Sequence, residues 1–349
     1  MNLAIIKPDH LGDLILSSSA ISAVLDRHPD ATVFVSPGNV SLAQFLFPPT
    51  TCVQPIIFSH LQKGHQERPL MPDLRCYDRV LILRKDAFIN ENWASLRCRE
   101  WVITGDMQHT HQSAIDYGAA TRLIGAYDPE KFFFGQRYEA VSAKAAAAPR
   151  KIGFSIGSGF HANAWPLYRW IELGRLMQKS GLSITLIGGP AEKDQLAFLS
   201  DRLGLDRTQD VILGDAFAET LDRISAVDWV VASDGGTAHL CSLVCPVLSL
   251  FGGSPFHRFA PFGRWNKVLT LNPSCSPCCQ YHSQVVNCCL SIECMAGIGP
   301  EDVMEVLNHP GGMFEPNSID LGNGRHLHVG TSHFEPGGQK NVTEMADVA

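Results

Sequence analysis

No apolar run in this sequence is long enough to cross a bilayer. The longest, such as Val227–Ala232 and Pro246–Phe251, are strand-sized and are broken by glycine or polar residues. Nor is there a surplus of positive charge. With 28 Lys and Arg against 35 Asp and Glu the formal net charge is -7, which argues against a general binder of nucleic acid or anionic membrane, because either would carry a basic surface. A local basic pocket, and peripheral contact with a membrane, stay open. The opening residues Leu3–Ile6 resemble a strand, without the charge, long apolar run and small-residue cleavage site of a signal peptide. The expectation is a cytoplasmic enzyme. A reducing compartment disfavours disulfides, yet eleven cysteines occur and six of them crowd between Cys275 and Cys294.

What is present is ordinary globular material, 45% hydrophobic and 18% charged over 349 residues, a length that suggests two domains. Short apolar runs alternate with helical patterns. Leu3–Ile6, Thr32–Val35, Val80–Leu83 and Trp101–Thr104 read as strands, and Gly12–Arg27 as an apolar-faced helix. Lys144–Pro149 (KAAAAP) reads as a linker, after which the pattern restarts. Strands are expected at Lys151–Ser155, Ser183–Ile187, Trp229–Ala232 and Val247–Phe251, with helices at Leu167–Lys179 and Ala191–Leu203. This βαβ alternation implies an α/β fold with parallel sheets. The expected boundaries are 1–149, 150–310 and a flexible tail over 311–349, which is rich in Gly, His, Asn and Pro.

Four segments could carry chemistry. Lys7–Asp13 (KPDHLGD) joins the first strand to the first helix, at the carboxyl end of a strand where open α/β sheets bind ligands. Asp13 could simply be a first-turn carboxylate of that helix, but Lys7, Asp9 and His10 crowd the same short loop. Ser155–Gly159 (SIGSG) follows a strand, and its small residues suit close approach of a diphosphate. Leu186–Glu192 (LIGGPAE) ends a strand in a glycine turn, and Glu192 could hold ribose hydroxyls or serve as a first-turn charge. Ser233–Leu240 (SDGGTAHL) packs Asp, Gly, Thr and His into one strand-to-helix turn, which capping alone explains poorly.

Together, IIKPDHLGDLILSSSAISAV, the DGGTAH segment and the CSLVCPVLSLFGGSPFHRFAPFG that follows resemble the heptosyltransferases of glycosyltransferase family 9. The resemblance runs over residues 1–308 and is weak between 36 and 125. It implies a GT-B architecture, two Rossmann-like domains facing across a cleft. The first would bind the acceptor through Lys7, Asp9, His10 and Gly12, with Asp13 as the base of an inverting transfer. The second would bind a nucleotide sugar through Ser158, Gly159, Glu192, Asp234, Gly235, Gly236, Thr237 and His239. It further implies an ADP-sugar donor, foremost ADP-heptose, and a saccharide, glycolipid or protein acceptor, as in lipopolysaccharide biosynthesis. The chemistry itself needs no cofactor. Basic candidates for the acceptor side are Lys7, Arg84, Lys85, Arg97 and Arg99. One departure stands out. Asn163 occupies the place of a family lysine two residues before Trp165-Pro166, leaving His161, Arg169, Lys193 or Arg258 to supply a cation, or backbone dipoles to hold the donor.

The spacing Cys275-x2-Cys278 with Cys289 and Cys294 suits a structural iron or zinc, although free thiols fit nearly as well. Members of the resembled family share the Cys-x-Pro-Cys start, and in one branch such cysteines hold iron. Two other functional classes remain open from the residues alone: a GT-B nucleotide-sugar epimerase, and a non-catalytic nucleotide-sugar or metal-binding protein.

Overall fold

The computed structural model describes residues 2–57, 73–84, 100–103, 110–214, 216–271, 273, 275–278, 289, 292–308, 318–322 and 325–329. Two sheets organise the chain. The first contains β1 (Leu3–Lys7), β2 (Thr32–Val35), β3 (Cys52–Pro55), β4 (Arg79–Ile82) and β5 (Glu100–Ile103), in the order β3-β2-β1-β4-β5. Every pairing in it is parallel. The second contains β6 (Lys151–Ser155), β7 (Ser183–Gly188), β8 (Val211–Leu213), β9 (Trp229–Ser233), β10 (Val247–Phe251) and β11 (Lys267–Thr270). Its parallel part runs β8-β7-β6-β9-β10-β11, the doubly wound order again, and antiparallel β13 (Arg325–Val329) and β12 (Ser318–Gly322) extend it past β11.

The parallel strands are apolar runs because both faces are covered. β1, β9 and β10 are buried at every position. Helix α1 (Leu11–Arg27) is apolar nearly all round for the same reason: from Leu14 to Leu25 only Ser22 is less than fully buried. Its three consecutive serines, Ser17 to Ser19, are buried with their hydroxyls satisfied. Ser17 bonds Asp116, Ser18 bonds the Ile15 carbonyl and Ser19 bonds the Pro129 carbonyl.

Helices α2 (Val40–Leu46), α3 (Gln112–Ile124), α4 (Pro129–Phe134) and α5 (Tyr138–Ala146) complete the first half. The expected linker KAAAAP is largely the end of α5, whose Lys144 ammonium donates to the Ser225 and Val244 carbonyls of the second half. That half carries α6 (Leu167–Lys179), α7 (Lys193–Leu203), α8 (Phe217–Ser225), α9 (Gly236–Ser242), α10 (Phe256–Phe259), α11 (Glu293–Ala296) and α12 (Pro300–Asn308).

The halves are packed together. One hydrophobic core includes Leu14, Val24, Phe133 and Phe134 from the first and Leu240, Leu243 and Phe262 from the second. Aromatic edges lock the seam, with Phe133 4.9 Å from Phe262 and Tyr138 4.8 Å from Trp265 between ring centres. Beside them the Arg264 guanidinium clasps the buried Glu130 carboxylate at 2.6 and 2.9 Å. The stretch expected as a tail contains the β12–β13 hairpin, while 330–349 lie outside the described residues. No helix among the described residues is long and apolar enough to cross a membrane.

Candidate functional site

In both sheets the strand order reverses beside the first strand of the half, between β1 and β4 and between β6 and β9. Such reversals open a crevice at the carboxyl ends of the strands. The loop after β1 is the KPDHLGD segment, and the loops after β6 and β9 are SIGSG and SDGG. Topology alone therefore gathers three of the four sequence motifs at crevices.

The two crevices meet. A Cβ on Gly12 would stand 2.7 Å from His239 Cδ2 and 3.5 Å from Gly236 Cα, so the first turn of α1 lies directly on the first turn of α9. Likewise a Cβ on Gly235 would stand 2.7 Å from the Gly157 carbonyl oxygen, which seats the β9 loop on the β6 loop. These glycines are needed for close approach rather than for an unusual φ.

On the first half's side, Lys7 is 2% exposed; its ammonium donates to the Leu83 carbonyl at 2.9 Å and lies 3.1 Å from Asp9 Oδ2. Arg84 pairs with the other Asp9 oxygen. Asp9 in turn anchors the loop, because its carbonyl accepts from Ser36 and Asn39. Burial lowers the Lys7 pKa, while the charges of Asp116 and Asp13 raise it. Asp13 is half-buried and lies close enough to bias Lys7, Asp116, Asp234 and His239 electrostatically. It thus sits where the two motif sets converge.

On the second half's side, Asp234 is buried and does not cap α9. It accepts a hydrogen bond from Asn163 Nδ2 at 2.9 Å and another from the Ser254 hydroxyl. Burial pushes its pKa up to about 6, with the Ser254 bond lowering it and the Asp13 charge raising it. Asn163 is 1% exposed and uses its whole donor capacity: Nδ2 also reaches Ser254 Oγ at 2.6 Å, and Oδ1 accepts from the Gly253 N–H at 3.1 Å. It is a brace between loops. Ser158 reinforces this brace through its hydroxyl on the Asp234 carbonyl at 2.7 Å. His239 is 5% exposed, and burial lowers its pKa to about 4, so it is neutral at pH 7.

Other expected residues stand differently. His10 is exposed at the start of α1, Gly159 is exposed, and Thr237 is half-buried in the first turn of α9. Glu192 Oε2 accepts from the Gly189 N–H at 2.8 Å, closing its own turn, while the carboxyl packs against Gly157. Arg169 is spent on the Ala296 carbonyl and Glu172, and Lys193 is exposed. Arg258 does come across the seam, donating to Gln112 Oε1 at 3.3 Å. Lys85, Arg97 and Arg99 lie outside the described residues.

Sequence reasoning passed over Asp116, which is completely buried on α3 and bonded by Ser17 at 2.6 Å and Gln112 at 3.0 Å. It also passed over His111 at the start of α3. That ring bonds the Ala260 carbonyl at 2.9 Å, and burial lowers its pKa to about 4. The only available signal was the polar HQSAID run ahead of an apolar helix.

The expectation of a structural metal at the cysteines is not supported. Cys275, Cys278 and Cys289 all bias the Cys294 thiol, so the four come near one another, and the Cys278 and Cys294 sulfurs flank Gly253 and Gly252. Yet among the described residues no group of three or more His, Cys, Asp or Glu is placed to hold a metal ion. Burial and the neighbouring thiols push the Cys294 pKa up to about 11. Cys279 and Cys288 fall outside the described residues.

Comparison with known proteins agrees with this architecture. The E. coli heptosyltransferase WaaC with ADP superposes with a TM-score of 0.62 at 15% identity, covering 89% of this chain and 100% of that one. E. coli ADP-heptose LPS heptosyltransferase II gives 0.58 at 19% identity, covering 89% and 98%. The iron-containing dodecameric glycosyltransferase TibC from enterotoxigenic E. coli H10407 gives 0.53 at 13%, covering 88% and 78%. At these identities the likeness establishes the fold, which is GT-B. No curated protein matches the chain by sequence. Residues 119–288 match the model of Glycosyltransferase family 9 (heptosyltransferase), and the fold around them is of the heptosyltransferase type.

Proposed function

We propose that the protein is an inverting glycosyltransferase that moves a sugar, foremost heptose from ADP-heptose, to a hydroxyl of a saccharide or glycolipid. The observation that carries this reading is the seating of α1 on α9, which puts Asp13 at the junction of the two crevices, beside Asp234 and His239. Inverting transfer needs a base on the acceptor side and charge stabilisation on the diphosphate side, and the two halves divide these tasks. The Asp13 carboxylate takes the proton of the acceptor hydroxyl as that oxygen bonds the anomeric carbon. The bond from the anomeric carbon to the phosphate oxygen breaks on the opposite face, and its electron pair leaves with the nucleoside diphosphate.

The donor is held by the β6 and β9 loops, whose backbone N–H groups suit a diphosphate. In this reading Asp234, held by Asn163 and Ser254, accepts from sugar hydroxyls. Since Asn163 is occupied by that brace and His239 is neutral at pH 7, the second half's candidate cation is Arg258, which reaches across the seam to Gln112. The WaaC and TibC structures contain ADP or an ADP-heptose, which supports the choice of donor.

The test is turnover of ADP-heptose with a heptose-deficient glycolipid, followed as ADP release. Asp13→Ala and Asp13→Asn should lose ~10²–10⁴-fold in rate while ADP affinity by calorimetry stays near wild type. Asp234→Ala and His239→Ala should weaken that affinity. An Asp13→Asn enzyme retaining more than ~1% of wild-type turnover would sink the base assignment.

A further inference from the structure

Asp116 is the one completely buried carboxylate in the first half among the described residues, and it belongs to none of the sequence motifs. Neutral donors hold both of its oxygens. Ser17 Oγ–H reaches Oδ2 at 2.6 Å and Gln112 Nε2 reaches Oδ1 at 3.0 Å. The Gln112 amide is oriented unambiguously, because its oxygen accepts from Arg258 of the second half at 3.3 Å. Ser17 Oγ also lies 3.0 Å from the Asp13 carbonyl oxygen. A continuous polar chain thus leads from α10 of the second half to the turn of α1 that carries Asp13.

We propose that Asp116 is a positioning residue for the transfer step: through Lys7 and Ser17 it keeps Asp13 available as a base, and through Gln112 it ties that state to docking of α10, which carries Arg258. The proposal rests on the base reading of Asp13. Its logic is one of charge. Lys7 is a buried ammonium facing Asp9, Asp13 and Asp116, and of the two last the Asp116 charge acts on it more strongly. With Asp116 ionised, the ammonium has a countercharge behind it. With Asp116 neutralised, its pull falls more heavily on Asp13, and a carboxylate drawn to an ammonium is a weaker base.

The charged groups around this pair, among the described residues, include Arg84 and Arg258, whose positive charges work against that of Lys7. Asp116 meets Lys7 from β1, Asp13 and Ser17 from α1, Gln112 from its own helix, and Tyr127 from the segment after it. Asp13 meets Lys7, Asp116, Asp234 and His239. Of these, burial raises the Asp116 pKa and Lys7 opposes that rise. A carboxylate serving only as structural glue would, when removed, lower stability and leave the pH dependence of turnover alone.

The experiment measures kcat and donor KM of full-length Asp116→Asn from pH 5 to 9 by ADP release, with melting temperature alongside. The expected result is a kcat about tenfold lower at neutral pH, donor KM within about twofold of wild type, and an acid limb moved to lower pH. Gln112→Ala, which keeps the carboxylate but cuts its link to Arg258, should change kcat and the limb in the same direction by less, and it decides the matter if Asp116→Asn does not fold. An unmoved acid limb in the folded variants, whatever their stability, overturns the proposal. Asp13→Asn run in parallel separates the two claims. Turnover by that variant defeats the base reading itself, whereas an inactive Asp13→Asn beside an unmoved Asp116→Asn defeats only the positioning role.

Discussion

Gly12→Ala probes the seam directly. The added methyl would stand 2.7 Å from His239 Cδ2 and 3.3 Å from its Nε2, with Gly236 Cα 3.5 Å away. The ring is 5% exposed and cannot swing into solvent, so α1 and α9 must separate by several tenths of an ångström. Overpacking of this kind costs about 1–3 kcal/mol. Replacing glycine within a helix returns at most about 1 kcal/mol. With the full return the net loss is about 0–2 kcal/mol, a fall in Tm of up to roughly 3 °C for a chain of this length. Activity should suffer more than stability, because a shift approaching 1 Å between reacting groups can lower a rate by about 10²-fold. The assay is ADP release together with thermal melting and circular dichroism. Gly12→Ala combined with His239→Ala completes the cycle: removing the ring should restore the lost stability, with a coupling of about 0.5–3 kcal/mol. If Gly12→Ala matched wild type in both Tm and turnover, the two turns would not be in contact in the working enzyme.

Two further expectations concern protonation. His111 and His239 both have pKa values near 4 in the folded protein, below the usual 6.5, because burial disfavours their charged forms. The unfolded chain therefore binds more protons in that window, so the stability they allow is complete above pH 6.5 and is lost as pH falls toward 4, on the order of 3 kcal/mol for each. Asp234, between 3.8 and about 6, and Asp116, also raised by burial, have the opposite sign and offset part of this decline. Denaturant melts of His111→Asn should show a shallower decline over this range, and an unchanged slope would refute the assignment. Among the thiols, Cys294 at about pKa 11 should alkylate about two orders of magnitude more slowly than exposed Cys275, as read by mass spectrometry at pH 8. Equal rates would mean that the Cys294 pocket is open.

The parts of the fold legible in the sequence were those whose burial is two-sided. β2, β6, β10 and α6 have the boundaries their apolar pattern suggests. β3 escaped notice because it is an edge strand, mostly exposed and ending in proline, so it carries little apolar signal. The hairpin β12–β13 escaped because its surroundings have the composition of a tail. Within the site, Asp234 and Gly235 were legible because their types are unusual at a strand-to-helix turn. Glu192 shows the limit of that approach, since a carboxyl at such a position closes a turn whether or not a ligand is nearby. Asp116 was illegible because its significance lies in partners from Ser17 and Arg258, distant in sequence and brought together only by the packing of α1 on α3 and of the two halves on each other.

The position of β13 has a consequence for synthesis of the chain. β11 is buried at all four residues, and the strand that pairs with its outer side is Arg325–Val329, with residues 271–324 made between them. At roughly 5–20 residues per second, the nascent second half spends several seconds with a row of unpaired backbone groups along an apolar strand. That is the kind of edge on which neighbouring nascent chains adhere. Truncation before residue 325 would make the delay permanent, so shortened forms should be recovered mainly as aggregates even where every site residue is present.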